Sequence, residues 1–167
     1  MATVYMGIGS NLGSRRDNCL ESLRRINALA GVEVRECSSF YETIPVGGPP
    51  QPVYLNGVAR IETDIAPFAL LKSFKEIEKE MGREDTGSKN QPRVIDLDIL
   101  LYGDLVIKSR EITVPHPEMH RRYFVLKGLA EISPDVTHPV IKKTALELLK
   151  LAICPEDAFQ TRRGTGK

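Results

Sequence analysis

Apolar residues recur along the chain with two different periods, and the switch between them divides it into elements. Thr3 to Ile8 is mostly apolar and reads as a short strand. It runs into Gly9-Ser10-Asn11-Leu12-Gly13, where glycine suits a strand-to-helix turn. The glycines are spaced one residue too long for a dinucleotide fingerprint, so the turn reads as structural. Cys19, Leu20, Leu23, Ile26 and Ala30 then repeat at helical spacing, predicting a helix from Arg15 to Leu29 that Gly31 ends. Val32 to Tyr41 reads as a second strand, with Val32, Val34 and Cys37 inward. Tyr54 to Ile65 reads as a third, with Leu55, Gly57, Ala59 and Ile61 on one side and Tyr54, Asn56, Val58 and Arg60 on the other. A helix from Pro67 to Met81 carries the stripe Leu70, Leu71, Phe74, Ile77 and Met81.

Pro92 to Tyr102 returns to period two. Ile95, Leu97, Ile99 and Leu101 are expected to face a core, with Asp96 and Asp98 together on the opposite face. Gly103-Asp104 is a turn signal, so Leu105 to Ile107 is expected as a short return strand. Thr113 to Pro117 is an extended segment held by its prolines. Helices follow from Tyr123 to Ile132 and from Thr144 to Ile153. The order strand, helix, two strands, helix, two strands, helices predicts an α+β fold. The plan is a ferredoxin-like sandwich with a mainly antiparallel sheet and helices packed on it.

Composition narrows this picture only a little. At 167 residues and 41% hydrophobic content the chain can bury one sound core. Residues 1–154 are expected to form a single domain and 155–167 a polar, flexible tail. The formal charge of +1 argues against nucleic acid or an anionic membrane as partner. No apolar run approaches a membrane span, and the first residues lack the pattern of a signal peptide. Cys19, Cys37 and Cys154 form no C-x-x-C pair, which suggests reduced thiols and a cytoplasmic setting. Thr43 to Pro52 holds four prolines and two glycines and is therefore a loop, either a tolerated surface segment or one that closes over a ligand.

Candidate chemistry centres on Asp96 and Asp98. Strand geometry sets their carboxylates about 6–7 Å apart, where two charges repel by about 2–3 kcal/mol at an effective dielectric near 20. Either the face is solvated, or a cation sits between them: an Arg, a Lys or a hard dication such as Mg²⁺. Arg83, Lys89, Arg93, His116 and Arg122 lie in nearby loops. Carboxylates for Mg²⁺ and flexible cations for phosphate are the parts of phosphoryl transfer. Glu78 sits at the edge of its helix stripe and needs a partner, whether solvent or ligand. Tyr54 and Asn56 share a strand face, a stacking ring beside an amide. The spacing of His116 and His120 invites zinc, but Pro117 interrupts a continuous helix. The terminal Gly164-Thr165-Gly166-Lys167 is no Walker loop.

In this order, Gly9-Ser10-Asn11-Leu12-Gly13, Ser38-Ser39-Phe40-Tyr41 with Thr43 and Pro45, Tyr54-Leu55-Asn56, Pro92-Arg93-x-x-Asp96-Leu97-Asp98-Ile99 and Thr113-Val114-Pro115-His116 form a set. From Val4 to Pro139 the sequence resembles the 6-hydroxymethyl-7,8-dihydropterin pyrophosphokinases of folate biosynthesis. The resemblance implies transfer of pyrophosphate from ATP to the pterin hydroxymethyl group, with release of AMP. It implies two Mg²⁺ ions on Asp96 and Asp98, with Asp96 helping to take the proton, and Arg83 and Arg93 on the transferring phosphates. Glu78, Ile99, Thr113, His116 and Arg122 would contact ATP together with those arginines. Tyr54 and Phe124 would sandwich the pterin, and Asn56, Thr43, Ile44 and Val46 would read its edge. Small molecules are then the only partners, and a monomer is expected. The chain departs from the family pattern at Asn90, where an aromatic is common, and at Lys75, Asp85 and Glu111.

Two other classes remain open on the residues alone. An RNA-binding sheet would need stacked aromatics and a basic face, which the aspartates oppose. A metal-dependent hydrolase would use the same carboxylates on water.

Overall fold

The computed structural model describes residues 1–45, 47–84 and 87–152. β1 (Ala2–Ser10) leads through Gly13 (φ 68°) into α1 (Arg15–Asn27). β2 (Val32–Cys37), β3 (Tyr41–Thr43) and β4 (Tyr54–Thr63) follow, then α2 (Pro67–Glu80) and β5 (Asp96–Tyr102). β6 (Ile107–Lys108), β7 (Thr113–Val114), a 3₁₀ turn (Met119–Arg121), α3 (Tyr123–Ile132) and α4 (Ala145–Leu151) complete the order. The main sheet runs β2-β4-β1-β5 with every pair antiparallel, and β3 continues along the β4 edge beside β2. This is the expected ferredoxin-like order.

Both faces of the sheet are covered. Val4, Met6, Ile8, Leu97 and Ile99 point to one side and pack with Cys19 and Ile26 of α1 and Leu70, Phe74 and Ile77 of α2. Phe74 is wholly buried; full burial of such a side chain stabilises by about 1.5–3 kcal/mol. On the other side Tyr5, Val58, Leu100 and Leu101 pack under Val125 and Leu129 of α3 and Ala145 of α4.

Local rules mislead in four places. Leu101 packs with the second cluster rather than with Ile95, Leu97 and Ile99, because a register shift opposite Tyr5 and Met6 leaves Leu100 as an extra residue in β5. The strand expected from Val32 to Tyr41 is two strands. At the break the Ser38 hydroxyl accepts the Val58 N–H at 2.9 Å, taking the place of a ladder bond. Leu105 to Ile107 does not return along β5: Leu105 and Val106 are exposed, and β6 pairs with β7 in a separate two-stranded sheet. Leu20 is exposed, one helical step from the buried Cys19. Cys154, the end of the last predicted helix and the 155–167 tail lie outside the described residues.

Candidate functional site

Three adjacent strands build the site from residues far apart in the chain. Gly9 of β1 stands opposite Asn56 of β4 on one side and Asp96 of β5 on the other; one step along, Gly7 stands between Val58 and Asp98. The two glycines leave a lane without side chains between the amide and the carboxylates. A Cβ on Gly9 would lie 2.7 Å from Asn56 Oδ1, so the close approach requires glycine here. The reading of this stretch as a turn missed that role. Glycine at alternate positions of one strand was the available signal.

One cavity borders this lane, and a second adjoins the first at Arg93. The larger, about 550 Å³, is lined by Thr43, Ile44, Tyr54, Asn56 and Phe124, with Arg93, Asp96 and Arg122 at its inner side. The other, about 500 Å³, is lined by Lys75, Glu78, Lys79, Arg83 and Arg93. Arg93 belongs to both. A narrow space of about 40 Å³ beneath Phe124 and Arg122 reaches Gly7, Gly9, Asp96 and Asp98. An aromatic, amide-bearing chamber therefore adjoins a cationic one, with Asp96 lining the first and paired to Arg83 and Arg93 of the second.

The cationic chamber is wired through Glu78, which is only 2% exposed. Its Oε1 accepts the Leu97 N–H at 2.7 Å and lies 3.3 Å from Lys75 Nζ. Its Oε2 lies 2.6 Å from Arg83 Nη1. The same Arg83 nitrogen donates to Asp96 Oδ1 at 3.0 Å, and Arg93 Nη1 donates to that oxygen at 3.1 Å. Burial pushes the Glu78 carboxyl up, while Lys75, the Leu97 N–H and Arg83 pull it back. The partner that the helix pattern demanded is thus the chain itself.

Asp98 differs. Among the described residues, no hydrogen bond or ion pair reaches its carboxylate. Burial and the neighbouring Asp96 push its carboxyl up to about 6, against Lys75 and Arg122. An unpartnered hard-oxygen ligand two residues from a second one, in a small space shared with it, fits Mg²⁺. Asp96 could join it by releasing its arginines to an anionic ligand.

The remaining expected positions fall around this centre. The Tyr54 hydroxyl donates to the Gln91 carbonyl at 3.4 Å, and burial and Asp96 push its pKa up. The Asn56 amide donates to Thr43 Oγ1 at 2.6 Å, which leaves its carbonyl toward Gly9. His116 follows β7, and its backbone N–H donates to Leu100 O at 2.9 Å. Burial and Arg122 push the imidazole down to about 4. Its Nδ1 accepts the Glu118 N–H, so the neutral ring carries its proton on Nε2. Thr113 is half-buried in β7. Ile99 is 4% exposed and lies in the core on the face opposite the aspartates. Ile99, Thr113 and His116 line none of the three cavities among the described residues. Val46 and Asp85 lie outside the described residues. His120 stands edge-to-face with His138, with ring centroids 6.2 Å apart, away from His116's partners.

A family model described as "7,8-dihydro-6-hydroxymethylpterin-pyrophosphokinase (HPPK)" matches residues 5–134. A 2-amino-4-hydroxy-6-hydroxymethyldihydropteridine pyrophosphokinase of Synechocystis is 39% identical over 90% of this chain and 76% of its own length. The protein of that name in Aquifex aeolicus is 40% identical over 88% of this chain and 90% of its own. The "Folic acid synthesis protein fol1" of Schizosaccharomyces pombe is 41% identical over 87% of this chain, which spans only 20% of that longer protein. Among solved structures, wild-type Plasmodium falciparum HPPK-DHPS matches in fold over 90% of this chain and 44% of its own, with a TM-score of 0.71 at 15% identity.

Proposed function

The chain belongs to the 7,8-dihydro-6-hydroxymethylpterin-pyrophosphokinase family, and from that premise we propose that it moves pyrophosphate from ATP to the hydroxymethyl group of 6-hydroxymethyl-7,8-dihydropterin, releasing AMP. The observation that carries this reading is the row Asp96–Gly9–Asn56, which sets a carboxylate at the seam between a cationic chamber and an aromatic one. The triphosphate occupies the cationic side, against Arg83 and Arg93. The pterin lies between Tyr54 and Phe124, where flat rings stack. Asn56 and Thr43, with Ile44 and Val46, read its edge of donors and acceptors.

Asp96 and Asp98 would hold two Mg²⁺ ions, which would neutralise phosphate charge and lower the pKa of the attacking hydroxyl. Arg83 and Arg93 leave Asp96 for the phosphates as nucleotide enters, so the same guanidiniums serve the empty and loaded site. Arg93, shared by both chambers, aligns the two reactants, and orientation of this kind supplies much of such a rate. Asp96 helps to take up the hydroxyl proton. Glu78, Thr113, His116 and Arg122 complete the nucleotide contacts, His116 donating from Nε2–H, with Ile99 taking part through its backbone alone because its side chain is buried on the opposite face. No helix among the described residues is long and apolar enough to cross a membrane. The reading takes residues 1–154 as one catalytic domain acting in the cytoplasm, as a monomer, on small molecules alone.

Product analysis tests it. AMP formed from ATP and Mg²⁺ only when the pterin alcohol is present supports transfer. Phosphate or AMP released equally without it means that water is the acceptor and overturns the reading.

A further inference from the structure

The turn joining β2 to β3 is held by one side chain from a distant helix. Glu131, near the end of α3, accepts the Ser39 N–H at 2.9 Å and the Ser39 hydroxyl at 2.7 Å on Oε1. Its Oε2 accepts the Tyr41 hydroxyl. Lys127, one turn earlier on the same helix, stands over the Tyr41 ring, its Nζ 5.0 Å from the centroid. Three donors converging on one carboxylate give charge-assisted bonds, stronger and more directional than neutral ones. α3 can come this near because residue 128 is glycine. A Cβ there would meet Val58 Cγ2 at 2.9 Å and Ser38 Oγ at 3.1 Å.

Both parts joined by this clamp are walls of the larger cavity. α3 carries Phe124 seven residues before Glu131, about 10 Å along one rigid helix. β3 carries Tyr41 opposite Asn56 and Thr43 opposite Tyr54, and Thr43 Oγ1 takes the Asn56 amide hydrogen. A shift of β3 against α3 would change the gap into which a flat ring must fit and would turn the Asn56 amide.

We infer that Glu131, acting through Ser39 and Tyr41, is a positioning residue: it sets the spacing between Phe124 and the Thr43–Asn56 pair and so the affinity for the heterocycle. The inference rests on the pterin reading of that cavity. Glu131 touches no reactant. Its effect falls on the ring-binding side, where β3 meets α3; the ion pairs of Glu78, Arg83, Arg93 and Asp96 include no residue of β3 or α3, and Arg122 stays with α3 itself.

The test uses the full chain with Glu131→Ala, Glu131→Gln, Tyr41→Phe and Ser39→Ala. KM is measured separately for the pterin alcohol and for MgATP, the calorimetric Kd for the pterin alcohol with a non-hydrolysable ATP analogue, and thermal unfolding for each variant. Glu131→Ala is expected to raise heterocycle KM and Kd about tenfold and Tyr41→Phe about threefold, with MgATP KM within about twofold of wild type. Glu131→Gln keeps an acceptor for the Ser39 N–H and is expected to fall between wild type and Glu131→Ala. A merely structural tie would lower the melting temperature or active fraction without separating the two KM values, and that result overturns the role. So does a heterocycle KM unmoved in the folded Tyr41→Phe and Ser39→Ala variants. Wild-type chain that forms no AMP in response to the pterin alcohol would remove the functional reading and this role with it. Active wild type with unmoved variants would remove the role alone.

Discussion

Asn11 Oδ1 accepts the Arg93 N–H at 2.7 Å, and through this bond the turn after β1 holds the arginine shared by both chambers. Asn11 is 1% exposed, and its amide is fully committed. Nδ2 donates to Gln51 Oε1 at 2.8 Å and to Pro52 O at 3.0 Å, while the Asn11 N–H donates to Arg93 O at 3.0 Å. Gln51 in turn donates to Asn90 O at 2.8 Å. One buried residue thus ties the proline-rich loop to the loop before β5.

Asn11→Ala strands the Arg93 N–H and cuts both bonds to the 51–52 segment. It is expected to lower stability by about 1–3 kcal/mol, and to cut kcat/KM by more than tenfold through misplaced Arg93. Chemical denaturation and steady-state kinetics check this. A variant with wild-type kcat/KM would show that the tie has no part in turnover.

Asp98→Ala removes the unpartnered carboxylate and leaves the ion pairs among Lys75, Glu78, Arg83, Arg93 and Asp96 intact. The expected outcome is an unchanged circular dichroism spectrum with AMP formation reduced by at least about a thousandfold. Retained turnover would contradict the assignment of Asp98 to the metal.

The same carboxylate fixes a pH dependence. Its pKa rises from 3.8 to about 6 on folding, so between those values the folded state holds more protons than the unfolded one. Stability of the metal-free protein therefore falls as pH rises through this window, by at most about 3 kcal/mol from this group. His116 has the opposite sign: lowered from 6.5 to about 4, it contributes stability present above 6.5 and lost as pH falls through 4. Asp98→Asn is expected to raise the melting temperature at pH 7 without Mg²⁺ and to remove only the first slope. An unaltered slope in that variant would exclude Asp98 as its source.

Gly9→Ala places a methyl 2.7 Å from Asn56 Oδ1 and must displace the amide. Heterocycle KM is expected to rise by about tenfold or more, with MgATP KM nearly constant. Equal changes in both KM values would mean that the lane serves the fold rather than recognition.

Order of binding offers a further check. Arg83 and Arg93 hold Asp96, and in the proposed reaction anionic phosphates draw them away. The pterin alcohol is therefore expected to bind tightly only after Mg²⁺ and a nucleotide analogue. Calorimetry showing equal affinity without nucleotide would argue against coupling between the chambers.

Much of this was readable along the chain. Period-two alternation put Asp96 and Asp98 on one face of β5, and period 3.6 found α1, α2 and α3, because both patterns depend on residues a few positions apart. The ordered motifs from Gly9 to His116 identified the family for the same reason: each is a short local string. The rest arises where distant segments meet. The Leu100 bulge, the split of β2 from β3, the junction of Glu78 with Arg83 and Asp96, and the reach of Glu131 to Ser39 and Tyr41 across 92 and 90 residues leave no local trace. Gly7 and Gly9 lie in between: their alternation is visible in sequence, but its meaning depends on which strands flank them. Local spacing determined which side chains share a face; packing between remote elements decided what each face meets, since register and close approach are set by the whole core at once.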